Sequence, residues 1–152
     1  MSYHHYPNYK KHLNQRILGL DYGEKVIGLA SFCPGQEPFP LPYGKIENKN
    51  LNYVFEELNK VVQSESIEIF VLGLPLYLDG KESSMTKTVK KFAHDLNQKF
   101  PTIILYYQDE TLSSFEAEER MKNSPRYQFK LDPKSIDALS ASIILEDFMR
   151  KS

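Results

Sequence analysis

The stretch Ile17-Leu-Gly-Leu-Asp21-Tyr-Gly23-Glu-Lys25-Val-Ile-Gly28-Leu-Ala30 is a pair of apolar runs joined by a short polar bend. The first run delivers a carboxylate, Asp21, to the point where the chain turns, and the second carries the chain away. Gly23 and Gly28 bracket the bend, where glycine permits positive φ or a close backbone approach. An acid so placed sits at the rim of a sheet and faces whatever binds at the strand ends. The plainer role for an Asp before Gly is to bond turn amides, and this stretch alone leaves both roles open.

Working outward, Ile17 to Leu20 and Val26 to Phe32 read as two strands of a hairpin. Cys33 to Pro42 holds four prolines and a glycine and is a loop, and Tyr43 to Glu47 makes a short third strand. Leu51, Val54, Phe55, Leu58, Val61 and Val62 recur at helical spacing behind a capping Asn50. Ile67 to Leu74 is too short and too continuously apolar for such a helix and reads as a buried strand of the parallel type. Asp79-Gly80 turns the chain into a second helix carrying Met85, Val89, Phe92, Ala93 and Leu96, which ends by Pro101. Ile103 to Tyr107 reads as another buried strand. Ser113 and Glu116 form a capping box for a third helix. Asp132-Pro133 then caps a final helix with the stripe Ile136, Leu139, Ile143, Ile144 and Phe148. The pattern is α/β: three meandering strands, then alternating helices and strands, giving a mixed sheet with helices on both faces. Residues 1–15 read as a polar, loosely ordered lead-in, and residues 16–152 as a single domain. His4, His5 and His12, without partner acids, are expected to be solvated.

A chain of 152 residues with 41% hydrophobic and 26% charged residues is an ordinary globular domain. The lone Cys33 forms no internal disulfide or metal cluster and reads as a small buried hydrophobe, which suits a reducing cytoplasm. No apolar stretch reaches the roughly 20 residues that span a bilayer. The net charge of -1 gives no global sign of nucleic-acid binding, so such binding requires a local basic patch. Lys122, Arg126, Lys130 and Lys134, with Tyr127 and Phe129 interleaved, supply a candidate. Aromatics among bases stack on unpaired nucleobases; a solvated loop with inward aromatics explains the same residues.

Asp21 ends the first strand, Asp109 and Glu110 end the last, and Asp137 lies in the second turn of the final helix, about 100° from Ile136. Carboxylates from three segments at one rim suit hard divalent cations such as Mg²⁺ or Mn²⁺, which serve phosphodiester hydrolysis. Spacing alone does not establish that they converge.

Four motifs, Leu20 to Ala30, Val71 to Gly80, Asp109-Glu-Thr-Leu-Ser-Ser114 and Ile136 to Leu145, occur in the order and spacing of the YqgF/RuvX family. The likeness runs from Ile17 to Phe148. The resemblance implies a ribonuclease H-like fold with a five-stranded mixed sheet of order 3-2-1-4-5, similar to the RuvC junction resolvases. It also implies a cytoplasmic nuclease trimming the 5′ end of precursor 16S ribosomal RNA, with branched DNA as the alternative substrate, ribosomal particles as partners, and a monomer or weak homodimer. Carried onto this chain, the metal-binding acids are Asp21, the Asp109-Glu110 pair and Asp137. Asp21 would bridge one or two Mg²⁺ or Mn²⁺ ions, with Glu110 and Asp137 completing the set and no side-chain nucleophile required.

The chain departs from the family where Val26 and Thr111 stand in place of common arginines. Many relatives with this strand order carry their second acid at the end of the fourth strand, where this chain has Gly73-Leu74-Pro75. The carboxylate must then reach over from the fifth strand. Alternation points Asp109 and Glu110 opposite ways, and the longer reach favours Glu110. Lys25 and the Lys122 to Lys134 segment would position the nucleic-acid backbone. Ser83, Ser84, Thr111, Ser113 and Ser114 could bond phosphate oxygens, although caps and loops explain them equally. A binding module that keeps the fold without catalysis is a further alternative. An actin-like ATPase would need two such domains, and a Rossmann site would need G-x-G-x-x-G.

Overall fold

A computed structural model of the chain describes residues 3–77, 79–110, 119, 122–123 and 135–151. A helical turn, α1 (Pro7–Lys11), precedes the meander β1 (Ile17–Asp21), β2 (Val26–Phe32) and β3 (Leu41–Glu47). Helix α2 (Leu51–Glu65), β4 (Ile69–Leu74), α3 (Ser84–Lys99), β5 (Ile104–Asp109) and the final helix α4 (Ile136–Arg150) follow. The sheet order is β3-β2-β1-β4-β5, the ribonuclease H-like order expected from the resemblance. β1 to β3 are antiparallel neighbours, while β4 and β5 run parallel to β1.

Alternation along the central strands divides the core. Leu18, Leu20, Ile27, Leu29, Phe70 and Leu72 pack against α2 and α3 through Val54, Leu58, Val89, Phe92 and Leu96. Ile17, Ala30, Phe32, Ile69 and Val71 point to the opposite face and meet Ala141, Ile144, Leu145 and Phe148 of α4. Each fully buried Leu, Ile or Phe contributes about 1.5–3 kcal/mol, so these two layers hold the sheet between its helices.

The helix starts follow from local chemistry. The Asn50 side chain accepts a hydrogen bond from the Tyr53 N–H at 2.8 Å, as its capping position requires. Ser83 and Thr86 form a reciprocal capping box at α3. The buried Thr86 hydroxyl also donates to the Pro75 carbonyl, tying α3 to the end of β4.

Three expectations need correction. β5 is half exposed, with Ile104 54% and Tyr107 37% accessible; among the described residues it pairs with β4 alone, so it has only one sheet neighbour to cover it. Asp137 lies in the first turn of α4, because that helix begins at Ile136. The lead-in is packed: Tyr3 and Tyr9 are buried against Phe32 and α4, and His12 is buried between Tyr106 and Phe148. Its aromatic rings outweigh its polar composition. The Ser113 capping box and the Asp132-Pro133 cap lie outside the described residues.

Candidate functional site

The three parallel strands end at one edge of the sheet, the edge at which open α/β sheets bind ligands. Asp21 is the last residue of β1. It continues the alternation of Ile17 and Gly19 and therefore faces α4. Tyr22 turns the other way and packs on Phe92 at 4.8 Å between ring centroids. The hairpin bend is closed by Asn48, whose side chain donates to the Gly23 carbonyl at 2.9 Å and whose N–H donates to the Lys25 carbonyl at 2.8 Å. Gly23 is needed for space, since a Cβ there would lie 2.5 Å from the Val26 carbonyl oxygen. With Asn48 closing the turn, Asp21 takes its hydrogen bond from Glu110 instead.

Glu110 reaches Asp21 because of parity and a missing side chain. Tyr106 packs on the α4 face of the sheet, so Gln108 and Glu110 follow it to that face and Asp109 goes to the other. The Glu110 N–H donates to the Leu74 carbonyl at 3.3 Å and prolongs the β4–β5 ladder by one step. A Cβ on Gly73 would lie 2.7 Å from Glu110 Oε2. The compact end of β4 thus leaves the space that the Glu110 carboxyl occupies.

Asp137 comes from above. Asp21 pairs with Gly28 across the hairpin, and Gly28 pairs with Lys45 of β3. Directly paired residues share a face, so Asp21, Gly28 and Lys45 form one row under the start of α4. Over the middle of that row lies Asp137, whose carbonyl oxygen is 2.0 Å from where a Gly28 Cβ would stand.

Electrostatics report the crowding. Burial pushes the Asp21 carboxyl up to about 6, the hydrogen bond with Glu110 acts downward, and the Asp137 charge adds to the rise. Burial also raises Asp137, while the Lys45 ammonium pulls it down. Burial and the neighbouring acid thus make an ionised Asp21 costly until a cation offsets its charge. Three oxygen-donor side chains from three elements suit a hard divalent cation. Among the described residues no three acid, histidine or cysteine side chains stand as a closed ligand set. Neutralising charge at this position would relieve the same repulsion that raises Asp21.

Residues 15–151 match the family model RuvX, described as Holliday junction resolvase. The chain belongs to the RuvX family. A relative from Maridesulfovibrio salexigens, named as a candidate pre-16S rRNA nuclease, is 34% identical over 137 residues, covering 90% of this chain and 99% of its own. One from Chlamydia pneumoniae with the same name is 39% identical over 136 residues, 87% of each chain. The solved structure of Thermus thermophilus RuvC superposes with a TM-score of 0.56 at 11% identity, covering 90% of this chain and 96% of that one, and shares the fold.

Within this RuvX chain, Lys25 is exposed on the hairpin at the acid rim. Lys122 is exposed and 3.9 Å from Glu119, whereas Arg126, Lys130 and Lys134 lie outside the described residues, as do Thr111, Ser113 and Ser114. Ser83 is engaged as the α3 cap. Sequence reading missed Lys45; only its register against Gly28 reveals it. Among the described residues no helix is long and apolar enough to cross a membrane.

Proposed function

We propose that this RuvX chain is a metal-dependent nuclease that hydrolyses phosphodiester bonds, and that its substrate is the 5′ end of precursor 16S ribosomal RNA, met on ribosomal precursor particles. The observation that carries the reading is the Asp21–Glu110 pair with Asp137 in electrostatic reach, at the sheet edge where β1, β4 and β5 end. The names of relatives covering nearly the whole chain support the RNA substrate.

Asp21, Glu110 and Asp137 would hold Mg²⁺ or Mn²⁺, which when bound supplies Lewis-acid activation of water and neutralises charge on the phosphate. Ligating carboxyls are ionised, so Asp21 and Glu110 would both have to be ionised to serve as ligands. Asp21, the last residue of β1 between β2 and β4 and on the α4 face, is fixed by the fold. Glu110 has a longer side chain over an empty Gly73 and can adjust. Asp137 is anchored through its backbone at the helix start.

The test is cleavage of a labelled precursor RNA fragment with Mg²⁺, Mn²⁺ or EDTA, by the native chain and by Asp21→Asn, alongside a four-way DNA junction. Metal-dependent RNA cleavage abolished in Asp21→Asn is the expected result. Cleavage of the junction alone would move the substrate to branched DNA, the reading that the family description favours. RNA binding without any cleavage would leave a binding module.

A further inference from the structure

The outer strand β3 carries features that the acid centre does not require. Lys45 lies in the same cross-strand row as Asp21, on the α4 face, one strand beyond Gly28. It is exposed, and among the described residues no acid stands within ion-pair distance of it. Its neighbour Lys49, by contrast, leans on Glu47 at 3.9 Å and lies over the Tyr53 ring at 4.7 Å. An exposed ammonium outside ion-pair distance of any described acid, yet near enough to draw Asp137 down, is placed to hold a phosphate that the acid cluster itself would repel.

The strand also contains a bulge. Leu29 pairs with Gly44 and Ala30 with Pro42, so Tyr43 is the extra residue with no partner on β2. A bulge re-aims the unpaired side chain, and bulges gather next to active sites. Tyr43 is 43% accessible. It stands two residues from Lys45, roughly 7 Å along a strand, about the span of one extended nucleotide. Leu41 and Phe39 continue the exposed apolar surface beyond it.

We infer that β3 binds the substrate strand where it leaves the acid centre, with Lys45 taking the phosphate next to the scissile one and Tyr43 stacking the unpaired base that follows. The ligand is a single-stranded segment of nucleic acid, since a stacking ring needs an open base face. This inference rests on the nuclease reading. It assigns the path of the strand and makes β3, the edge opposite β5, part of the substrate site.

The experiment measures fluorescence anisotropy of a labelled single-stranded precursor RNA segment binding to the Asp21→Asn chain with Mg²⁺, across a salt series, with Lys45→Ala, Lys45→Arg, Tyr43→Ala and Tyr43→Phe added singly. Lys45→Ala is expected to weaken binding about tenfold and to reduce the salt slope by about 0.7, the single-strand value for one lost phosphate contact. Lys45→Arg should keep both. Tyr43→Ala should weaken binding about tenfold at unchanged salt slope, with Tyr43→Phe retaining the ring and the affinity. In the cleavage-competent chain, the Lys45→Ala loss should fall mainly on KM. An unchanged slope in Lys45→Ala, or full affinity in Tyr43→Ala, overturns the inference. So does a loss confined to kcat, which would make Lys45 a partner of Asp137 only. If the Asp21→Asn chain binds no single strand while the native chain cuts RNA, the path is wrong and the nuclease stands; if the native chain neither binds nor cuts, the nuclease reading falls first.

Discussion

Gly28 and Asp137 approach so closely that a methyl group on the glycine would fall 2.0 Å from the Asp137 carbonyl oxygen and 2.4 Å from its carbonyl carbon. The obstacle is backbone at the start of α4, which cannot rotate aside as a side chain would. Gly28→Ala must therefore lift the helix from the sheet and carry Asp137 with it. The expected cost is about 2–4 kcal/mol, read as a lower urea midpoint, together with loss of cleavage. A midpoint equal to that of the native chain would show that the helix start yields freely.

Gly73→Ala should behave differently. Its added methyl meets side-chain atoms, Ile144 Cδ1 at 2.6 Å and Glu110 Oε2 at 2.7 Å. Both can swing away, so stability should fall by only about 1 kcal/mol. The Glu110 carboxyl, however, loses its position, and cleavage should drop at least about a hundredfold, as misplacement by an ångström can cause. Equal losses of stability and activity would contradict this separation.

The parity of β5 distinguishes the two adjacent acids. Glu110→Gln removes a carboxylate beside Asp21 and should abolish metal-dependent cleavage, whereas Asp109→Asn, on the opposite face, should leave the rate within about threefold. Steady-state rates in Mg²⁺ and Mn²⁺ decide the matter. A dead Asp109→Asn with an active Glu110→Gln would reverse the assignment.

Acidity changes should act on the metal-free fold through Asp21. Its carboxyl moves from an ordinary 3.8 to about 6. Below about 3.8 it is protonated in both the folded and unfolded chain, and folding carries no penalty. As pH rises from there to about 6, the unfolded chain ionises first and stability falls; above that, the loss is complete, on the order of 2–3 kcal/mol. Asp137 is raised in the same direction. Chemical unfolding in EDTA should thus show higher stability at pH 4 than at pH 8 from this source, and Asp21→Asn should flatten the difference. Mn²⁺ should raise Tm more at pH 8 than at pH 5, because ligation displaces protons. A Tm gain independent of pH would disconnect metal binding from these acids.

The packed lead-in offers a contrast in one short segment. Tyr9 is buried and its hydroxyl accepts from the Gly35 N–H at 2.9 Å, so Tyr9→Ala should cost about 2–4 kcal/mol. His12 is buried, its Nε2 without a hydrogen-bond partner among the described residues and its ring 5.8 Å from Phe148 and 5.4 Å from Tyr106 between centroids. His12→Phe keeps a ring and removes the orphaned nitrogen but also the 2.9 Å hydrogen bond between Nδ1 and Gln15 Oε1, so the two effects offset and stability should stay within about 1 kcal/mol of the native chain. Paired urea titrations of the two variants check both.

The strands and helices were legible because their signals are strong and local. Val26 to Phe32 is an uninterrupted run, and Asn50 and Ser83 carry cap chemistry in their own side chains. The strand order came from family resemblance, since pairing is non-local. The choice between Asp109 and Glu110 was not legible because β5 mixes Ile, Leu, Tyr and Gln without a clean alternation; its phase is set by Tyr106 packing on the α4 side and Leu105 on the other. Lys45 was invisible because a lone lysine in an alternating strand has no motif, and its meaning arises from a register two strands wide. Tyr3 and Tyr9 were hidden by polar neighbours, although large rings recurring in a polar segment are the available sign that it packs.

The acid centre draws on the first strand, the last strand and the final helix, and this has a consequence for synthesis. A nascent chain that has emerged only as far as α3 already presents Asp21 and the hairpin, yet lacks both Glu110 and Asp137. For a nuclease born on a ribosome, whose proposed substrate is ribosomal RNA, assembly of the proposed cutting edge from distant segments would delay activity until translation of the domain is nearly finished. Fragments left by stalled translation would be inert for the same reason.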